Sequence, residues 1–151
     1  MKNLATYMFI GLLILSAATV SAQQMRSGKP YLFNNFPDTI NCTAKQLSNF
    51  FTVAQGQNIK VSFGNNLTLN GTVKTIFTKH NTLQTVMVKL PSFNNILFAV
   101  TKRCDEKNNI VYTAHLFDSA YADGYELKKT GNNNYQFTKI LLERILPTCS
   151  Q

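Results

Sequence analysis

The residues that could carry out nucleophilic chemistry are few and poorly arranged. Cys104, His115 and Asp118 lie close together in the chain and can be written as a nucleophilic set. Cys104, however, stands beside Asp105 and Glu106, whose negative charges disfavour the reactive thiolate. His115 falls in an alternating, strand-like segment, where a surface imidazole is ordinary. We therefore expect no catalytic residue in this set.

The remaining acidic, glycine and metal-binding patterns do not point to an enzyme either. A glycosidase needs two carboxylates fixed across a cleft, whereas the acids here are neighbours in a turn or isolated in polar segments. The chain has no phosphate-cradling glycine loop and no serine elbow motif. Its cysteines lack the CxxC or nearby HxxxH spacing of a zinc site. The sequence predicts a protein without enzyme activity, cofactor or metal.

The N-terminal residues match a cleavable secretory signal peptide. Lys2 supplies a short positive start, Met8 to Leu15 form an apolar run, and Val20-Ser21-Ala22 is a small-residue cleavage site. A bilayer span needs about twenty apolar residues, and polar Ser16 and Ser21 interrupt this run. We predict that residues 1–22 are removed, that the mature chain begins at Gln23, and that it is secreted or periplasmic. No membrane span is expected after cleavage.

The predicted mature chain is small and basic. Its 129 residues fit one domain with one hydrophobic core, and it carries 14 basic and 7 acidic side chains. A basic balance can indicate nucleic acid, an anionic membrane surface or an acidic partner. Here the lysines are scattered singly, apart from Lys102-Arg103 and Lys128-Lys129, which is typical of a solvated surface. We expect no nucleic-acid partner for this exported protein.

Three tyrosines flank the second basic pair and could stack on bases or sugar rings. They are Tyr121, Tyr125 and Tyr135. The simpler interpretation is that they cover the edge of the domain with their hydroxyls in water.

Export places the three cysteines, Cys42, Cys104 and Cys149, where a disulfide can persist. One bridge and one remaining thiol is the simplest count. Ile40 and Cys42 share a strand face that should point into the core, so we predict that Cys42 stays reduced and that Cys104 pairs with Cys149. Such a bridge would hold the chain end against a hairpin turn and close a long loop.

Asparagine is frequent and occurs in pairs and triplets, each a plausible turn. Asn41, Asn66 and Asn70 also begin formal glycosylation acceptor sequences, which have meaning only in a eukaryotic protein.

The first part of the mature chain is predicted as an N-terminal arm followed by strand, helix and strands. Residues 23–37 are the arm, and Asp38 to Cys42 a strand. Thr43-Ala44-Lys45-Gln46 matches a capping box, and the helix that follows should end at Gly56. Its apolar face consists of Leu47, Phe50, Phe51 and Ala54. Alternating apolar residues then predict strands over residues 59–63 and 67–77, joined by a turn at residues 64–66.

The second part is predicted as helix, hairpin, loop and helix. Leu83, Val86, Met87 and Leu90 have helical spacing, with a cap at Asn81 or Thr82 and a stop at Pro91. Residues 96–101 and 110–117 form a closing hairpin around a charged turn at residues 104–109. Residues 118–134 are a polar loop, and a last helix ends at Pro147; its apolar residues are Phe137, Ile140, Leu141 and Ile145.

The predicted fold class is therefore α+β, with two βαβ halves that form one or two small sheets, two packed helices and a C-terminal helix. The core domain would span residues 38–117, and residues 118–151 would add the loop and the last helix.

This order resembles the short N-terminal domain shared by secretins and TonB-dependent transducers. The resemblance is carried by residues 47–56 as a helix with a terminal glycine, residues 58–63 and 69–73 as strands, and residues 82–90 as the second helix. It covers about residues 38–117. The family usually has a glycine turn after the second helix, where this chain has Pro91-Ser92. The resemblance implies a non-enzymatic module that binds another protein of the envelope or exterior.

Two functional classes remain open from the sequence. The first is the protein-interaction module, and its expected partner-binding edge is the strand over residues 67–78, with outward residues Thr68, Asn70, Thr72 and Lys74. The second is a small secreted inhibitor or ligand-binding domain of cystatin-like shape, in which the helix after Thr43 packs on a curved antiparallel sheet. Strand order separates them: interleaved βαβ halves favour the first, and one helix across a continuous meander favours the second.

Overall fold

A computed structural model describes residues 28–65, 67–80 and 82–144. Within these residues the chain forms eight strands: β1 (Thr39–Thr43), β2 (Asn58–Phe63), β3 (Leu67–Lys79), β4 (Leu83–Leu90), β5 (Ile96–Cys104), β6 (Ile110–Leu116), β7 (Asp123–Lys129) and β8 (Asn134–Leu141). Its α-helix in the same ranges is α1 (Ala44–Ser48), and three 3-10 turns cover Asn49–Phe51, Pro91–Phe93 and Leu142–Arg144.

All eight strands belong to one antiparallel sheet. Its order is β1-β8-β7-β6-β5-β4-β3-β2, so the chain runs as a continuous meander from β2 to β8, and β1 lies beside β8. The sheet curls into a half-barrel, and β1 and β2 approach each other. Helix α1 fills the gap between these two strands, where the Gln46 side-chain amide donates to the Ser62 carbonyl at 2.9 Å.

The concave side of the sheet is filled by aromatic and aliphatic side chains. Four phenylalanines at its centre, Phe50, Phe63, Phe98 and Phe137, are fully buried. The ring centroids of Phe50 and Phe98 are 5.1 Å apart, as are those of Phe63 and Phe137. Aromatic pairs at this spacing stabilise beyond the area that they bury. The interior of the half-barrel is therefore a packed core.

Several sequence predictions are confirmed. Strands occupy the predicted positions around residues 38–42, 59–63, 67–77, 96–101 and 110–117. The capping box at Thr43 and Gln46 is complete, because each side chain satisfies the other residue's backbone N–H. The alternation of buried and exposed residues in β2 is the pattern read from the sequence.

The predicted α+β class with two βαβ halves, two packed helices and a C-terminal helix is wrong. The second of those helices is strand β4. Val86, Val88 and Leu90 alternate with exposed or half-buried residues and are fully buried. Leu83, Val86, Met87 and Leu90 also fit helical spacing, so both periods were present in one segment. The β-branched side chains of Thr85, Val86 and Val88 favour the extended backbone.

The first predicted helix exists but is shorter than expected. It ends at Ser48 and continues only as the 3-10 turn Asn49–Phe51. The Ser48 hydroxyl donates to the Lys45 carbonyl and the Thr52 hydroxyl donates to the Asn49 carbonyl. Such local bonds compete with helix continuation. Gly56 has a positive φ of 85°, but it lies in a turn beyond the helix.

The predicted polar loop and C-terminal helix are strands β7 and β8. In β8, Tyr135 and Phe137 alternate inward and are buried, and in β7 Asp123, Tyr125 and Leu127 do the same. The apolar spacing of residues 137–141 was shared by a helix and a strand, and β7 has too many polar residues to show an apolar run. Ile145 and Pro147 lie outside the described residues, as does the predicted signal peptide.

The described part of the N-terminal arm closes one end of the half-barrel. Phe33 is fully buried, with its ring centroid 5.1 Å from that of Tyr125. The buried carboxylate of Asp123 accepts the backbone N–H groups of Leu32 at 2.7 Å and Phe33 at 3.0 Å. The Tyr125 hydroxyl donates to the carbonyl of Pro37. A segment predicted to lead into the domain is therefore part of its core.

Candidate functional site

The second half of β3 is an open edge of the sheet. β2 pairs with β3 from Phe63, which lies opposite Leu67, to Asn58, which lies opposite Thr72. The last backbone hydrogen bonds to this side of β3 join Val73 to Gly56 and Gln57, just before β2. β3 then continues to Lys79 beside β4. In the part of the chain that the structure describes, residues 74–79 thus have a strand neighbour on one side only. We call residues 74–79 the free edge.

The two strands at the formal ends of the sheet are covered more than this free edge. Helix α1 lies between β1 and β2, and the Gln46 side chain donates a hydrogen bond to the Ser62 carbonyl. The free edge extends beyond this cover because β3 is 13 residues long and β2 only 6. A bulge between Val73 and Thr75 interrupts the β3–β4 pairing just beyond the end of the β2–β3 pairing. Unpaired backbone groups of an edge strand can accept another strand.

Apolar side chains are exposed on the outer face beside the free edge. Phe77 is 55% exposed, and Met87 on β4 and Leu97 on β5 are 38% and 49% exposed. Thr75 lies opposite Met87, and Met87 lies opposite Ala99, so the exposed side chains occupy adjoining strands. Phe117 extends the same face past β6. We call Phe77, Met87, Leu97 and Phe117 the outer patch; apolar patches of this kind mark interaction sites.

The strands around the free edge carry only positive charge. Residues 58–104 contain no Asp or Glu, but contain Lys60, Lys74, Lys79, Lys89, Lys102 and Arg103. Lys74 and Lys79 lie on the free edge itself and are exposed. The nearest acidic residue in sequence, Asp105, has its carboxylate turned to the backbone N–H groups of Lys107 and Asn109. Those hydrogen bonds lower the pKa of Asp105, with that from Asn109 the largest cause.

The structure separates the four predicted edge residues. Thr68 and Asn70 lie opposite Ser62 and Lys60 of β2, and Thr72 lies opposite Asn58. The Thr68 hydroxyl is 2.9 Å from that of Ser62, and the Thr72 hydroxyl donates to the Asn58 side chain at 2.8 Å.

Of the four, only Lys74 lies on the free edge. The other three lie where β3 pairs with β2, and the end of β2 at Asn58 sets where the free edge begins.

The cysteines occupy different environments. Cys42 is buried, and burial raises the pKa of its thiol to about 12, so it remains a thiol at neutral pH. Cys104 is exposed and, within the described ranges, free. Its predicted partner Cys149 lies outside those ranges. The last described turn, Leu142–Arg144, follows Leu141, which lies opposite Asp123 at one end of the sheet. Cys104, which lies opposite Ile110, is at the other end.

The nucleophilic set considered from the sequence is not assembled. Cys104 lies opposite Ile110, whereas His115 lies five residues further along β6, about 16 Å away at the rise of a strand. His115 instead packs edge-on against Phe117, with centroids 5.7 Å apart. Asp118 accepts a hydrogen bond from the Ala120 backbone N–H at 2.8 Å. No group of three metal-ligating side chains occurs among the described residues.

Two polar clefts lie at the end of the half-barrel opposite the arm. One, of about 410 Å³, runs between β1, α1 and β8 and includes Asn41, Thr43 and Gln46. The other, of about 500 Å³, includes Asn109, Lys129 and Asn133. Among the described residues, neither lining contributes a histidine or a carboxylate. Their described linings offer amide and hydroxyl groups and the Lys129 ammonium for hydrogen bonds, but no acid–base pair.

Comparison with known proteins gives no relative from which a function could be transferred. No family model, curated protein or solved structure matches the chain. In the described ranges, no helix has the length and apolar character that a membrane crossing requires. The functional argument therefore depends on the free edge, the outer patch and the charge around them.

Proposed function

We propose that this protein is a non-enzymatic module that binds another protein of the envelope or exterior by strand addition at the free edge. The observation that carries the proposal is that residues 74–79 of β3 lack a second strand neighbour within the described chain and include the exposed Phe77. An extended partner segment would pair its backbone with this edge, and its side chains would contact the outer patch.

The outer patch gives such a partner more than backbone bonds. Phe77 lies on the free edge and Met87 on the neighbouring strand, so a partner strand beside β3 would reach the Phe77 ring first. Aromatic residues in the centre of an interface commonly carry much of its affinity. Phe77 is therefore the proposed anchor of the complex.

The strand order also bears on the choice between the two functional classes. The observed continuous meander with one helix among the described residues is the order that favours a secreted inhibitor or ligand-binding domain, whereas the free edge supports the strand-addition module. A ligand inside the half-barrel is disfavoured because Phe50, Phe63 and Phe98 fill that space. A protease inhibitor that binds through an edge or loop stays the second candidate.

Capture of partners by the mature protein tests the proposal. Phe77→Ala is compared with Tyr31→Ala, because both rings are 55% exposed and only Phe77 lies on the free edge. Captured proteins are crosslinked and mapped by mass spectrometry. We expect a specific partner whose crosslinks involve Lys74 or Lys79 and whose capture is lost in Phe77→Ala but not in Tyr31→Ala.

Two outcomes would replace this function. Turnover of a substrate by the purified protein, without specific capture, would show that the non-enzymatic assignment is wrong. Capture of a protease whose activity is blocked would favour the inhibitor.

A further inference from the structure

The charge around the free edge restricts which segment could pair with it. Every charged residue between positions 58 and 104 is basic, and Lys74 and Lys79 stand near the two ends of the free edge. An approaching strand that carried lysine or arginine would place like charges across a strand pair, which is destabilising. One that carried carboxylates would form cross-strand ion pairs instead.

A second copy of this chain is a poor occupant of the same edge. Pairing two free edges would bring two sets of Lys74 and Lys79 together, with Lys89 and Arg103 on the neighbouring strands. Edge lysines are a common device that prevents such self-pairing. The occupant should therefore come from a different chain with the opposite charge.

The two faces of the free edge set the pattern of that segment. Thr75, Phe77 and Lys79 alternate onto the outer face, because side chains at every second position of a strand point the same way. An incoming strand therefore needs an apolar side chain beside Phe77, and acidic side chains at the positions that lie beside the lysines.

We propose that the free edge accepts an extended acidic segment of another exported protein, with an apolar residue beside Phe77 and acidic residues two positions away on the same face. This inference rests on the proposed function and adds the chemistry of the partner. Carboxylates of the segment pair with Lys74 and Lys79, its apolar side chains cover Phe77 and Met87, and its backbone continues the sheet from β3.

Synthetic peptides test this without knowledge of the natural partner. Three peptides of equal length share a central valine with a threonine on each side of it, and differ only at the two positions that lie two residues before and after the valine, which are glutamate, threonine or lysine. Binding to the mature protein is measured by fluorescence anisotropy at low and moderate salt. We expect the glutamate peptide to bind about tenfold more tightly than the threonine peptide, the lysine peptide not to bind, and the difference to shrink as salt increases.

Charge reversal locates the effect. Lys74→Glu combined with Lys79→Glu should abolish the preference for the glutamate peptide and favour the lysine peptide. Lys128→Glu combined with Lys129→Glu changes the net charge equally on β7 and should retain the original preference. Hydrogen exchange should show new protection at the amides of residues 74–79 when the glutamate peptide is bound.

Three results would overturn the acidic-segment proposal. Equal binding of the threonine and glutamate peptides at residues 74–79 would refute it while leaving strand addition intact. If both charge-reversal variants lose the preference for the glutamate peptide equally, the preference comes from the net charge of the protein and not from Lys74 and Lys79. Absence of peptide binding would remove it, and the capture experiment would then decide separately whether the edge binds proteins at all.

Discussion

The two halves of the sheet are stabilised differently. In the half formed by β6, β7, β8 and β1, polar side chains bind the arm by hydrogen bonds. Asp123 accepts two backbone N–H groups of the arm. Tyr125 donates to the Pro37 carbonyl, and the Lys139 amine donates to the Phe36 carbonyl at 2.6 Å. The half formed by β2 to β5 ends in an exposed edge. Polar groups of the first half are engaged in folding, whereas exposed groups of the second half are available to a partner.

Charge divides along the same line. All seven acidic residues lie outside residues 39–104, and six of them lie within residues 105–144. The half formed by β6, β7, β8 and β1 contains ion pairs, Lys139 with Asp38 at 3.4 Å and Lys128 with Glu126 at 3.9 Å. The basic residues of the β2 to β5 half have no carboxylate of their own segment to pair with. The proposed recognition site therefore lies in the half whose basic residues have no acidic neighbours in sequence.

The largest expected difference between the halves comes from the same substitution made in each. Phe33→Ala should lower the free energy of unfolding by about 4 kcal/mol, because it leaves a cavity where a fully buried ring was packed. Phe77→Ala should change it by less than about 0.5 kcal/mol, since that ring is exposed. Urea unfolding followed by circular dichroism measures both. A large loss in Phe77→Ala would mean that the free edge is structural, contrary to the comparison.

A smaller loss is expected when the buried anchor of the arm is altered. Asp123→Asn keeps the size of the side chain but replaces one of two accepting oxygens with an amide donor, so it should cost about 2 kcal/mol. Glu126→Gln, on the same strand, breaks only an exposed ion pair and should cost less than about 0.5 kcal/mol. Amide exchange at Leu32 and Phe33 should accelerate in the first variant alone; equal behaviour of the two would show that Asp123 does not hold the arm.

How far the sequence predicted this fold depended on whether a segment fitted one period or two. β2 and β6 alternate without a competing helical pattern, and both were predicted. The segment of β4 fits both the helical and the strand period of apolar residues. It is a strand because Val86, Val88 and Leu90, at every second position, all pack into the same core. β7 was missed because its buried positions include Asp123, whose burial depends on an arm about ninety residues away.

The candidate site was only partly visible in the sequence. The strand that carries the free edge was identified, and Lys74 was among its predicted residues. The open part could not be located, because it depends on the pairing of Asn58 with Thr72. The absence of acidic residues from position 39 to position 104 was readable from the sequence alone. It is the pattern that could have drawn attention to residues 74–79.

The smallest expected effect concerns pH and again separates the halves. Burial, with a further contribution from the negative charge of Asp123, raises the pKa of Tyr125 to about 12. In the unfolded chain tyrosine ionises near pH 10. The folded state therefore holds this proton more tightly, and the stabilisation is fully present below pH 10 and is lost as the pH rises toward 12.

Between pH 9 and pH 11, Tyr125 should therefore account for a loss of about 1 kcal/mol in the free energy of unfolding. Tyr125→Phe removes the ionisable hydroxyl and its hydrogen bond to the Pro37 carbonyl, so this variant should be less stable than the parent at pH 9. Between pH 9 and pH 11 its free energy of unfolding should then fall by less than that of the parent. Tyr31→Phe, which changes an exposed ring of the same arm, controls for the loss of a tyrosine and should lose as much as the parent. Chemical unfolding at each pH gives the three slopes. If Tyr125→Phe and Tyr31→Phe lose stability equally, the hydroxyl of Tyr125 is not held in the buried environment that fixes the arm, and the anchored half of the sheet would no longer differ from the open half in the way described.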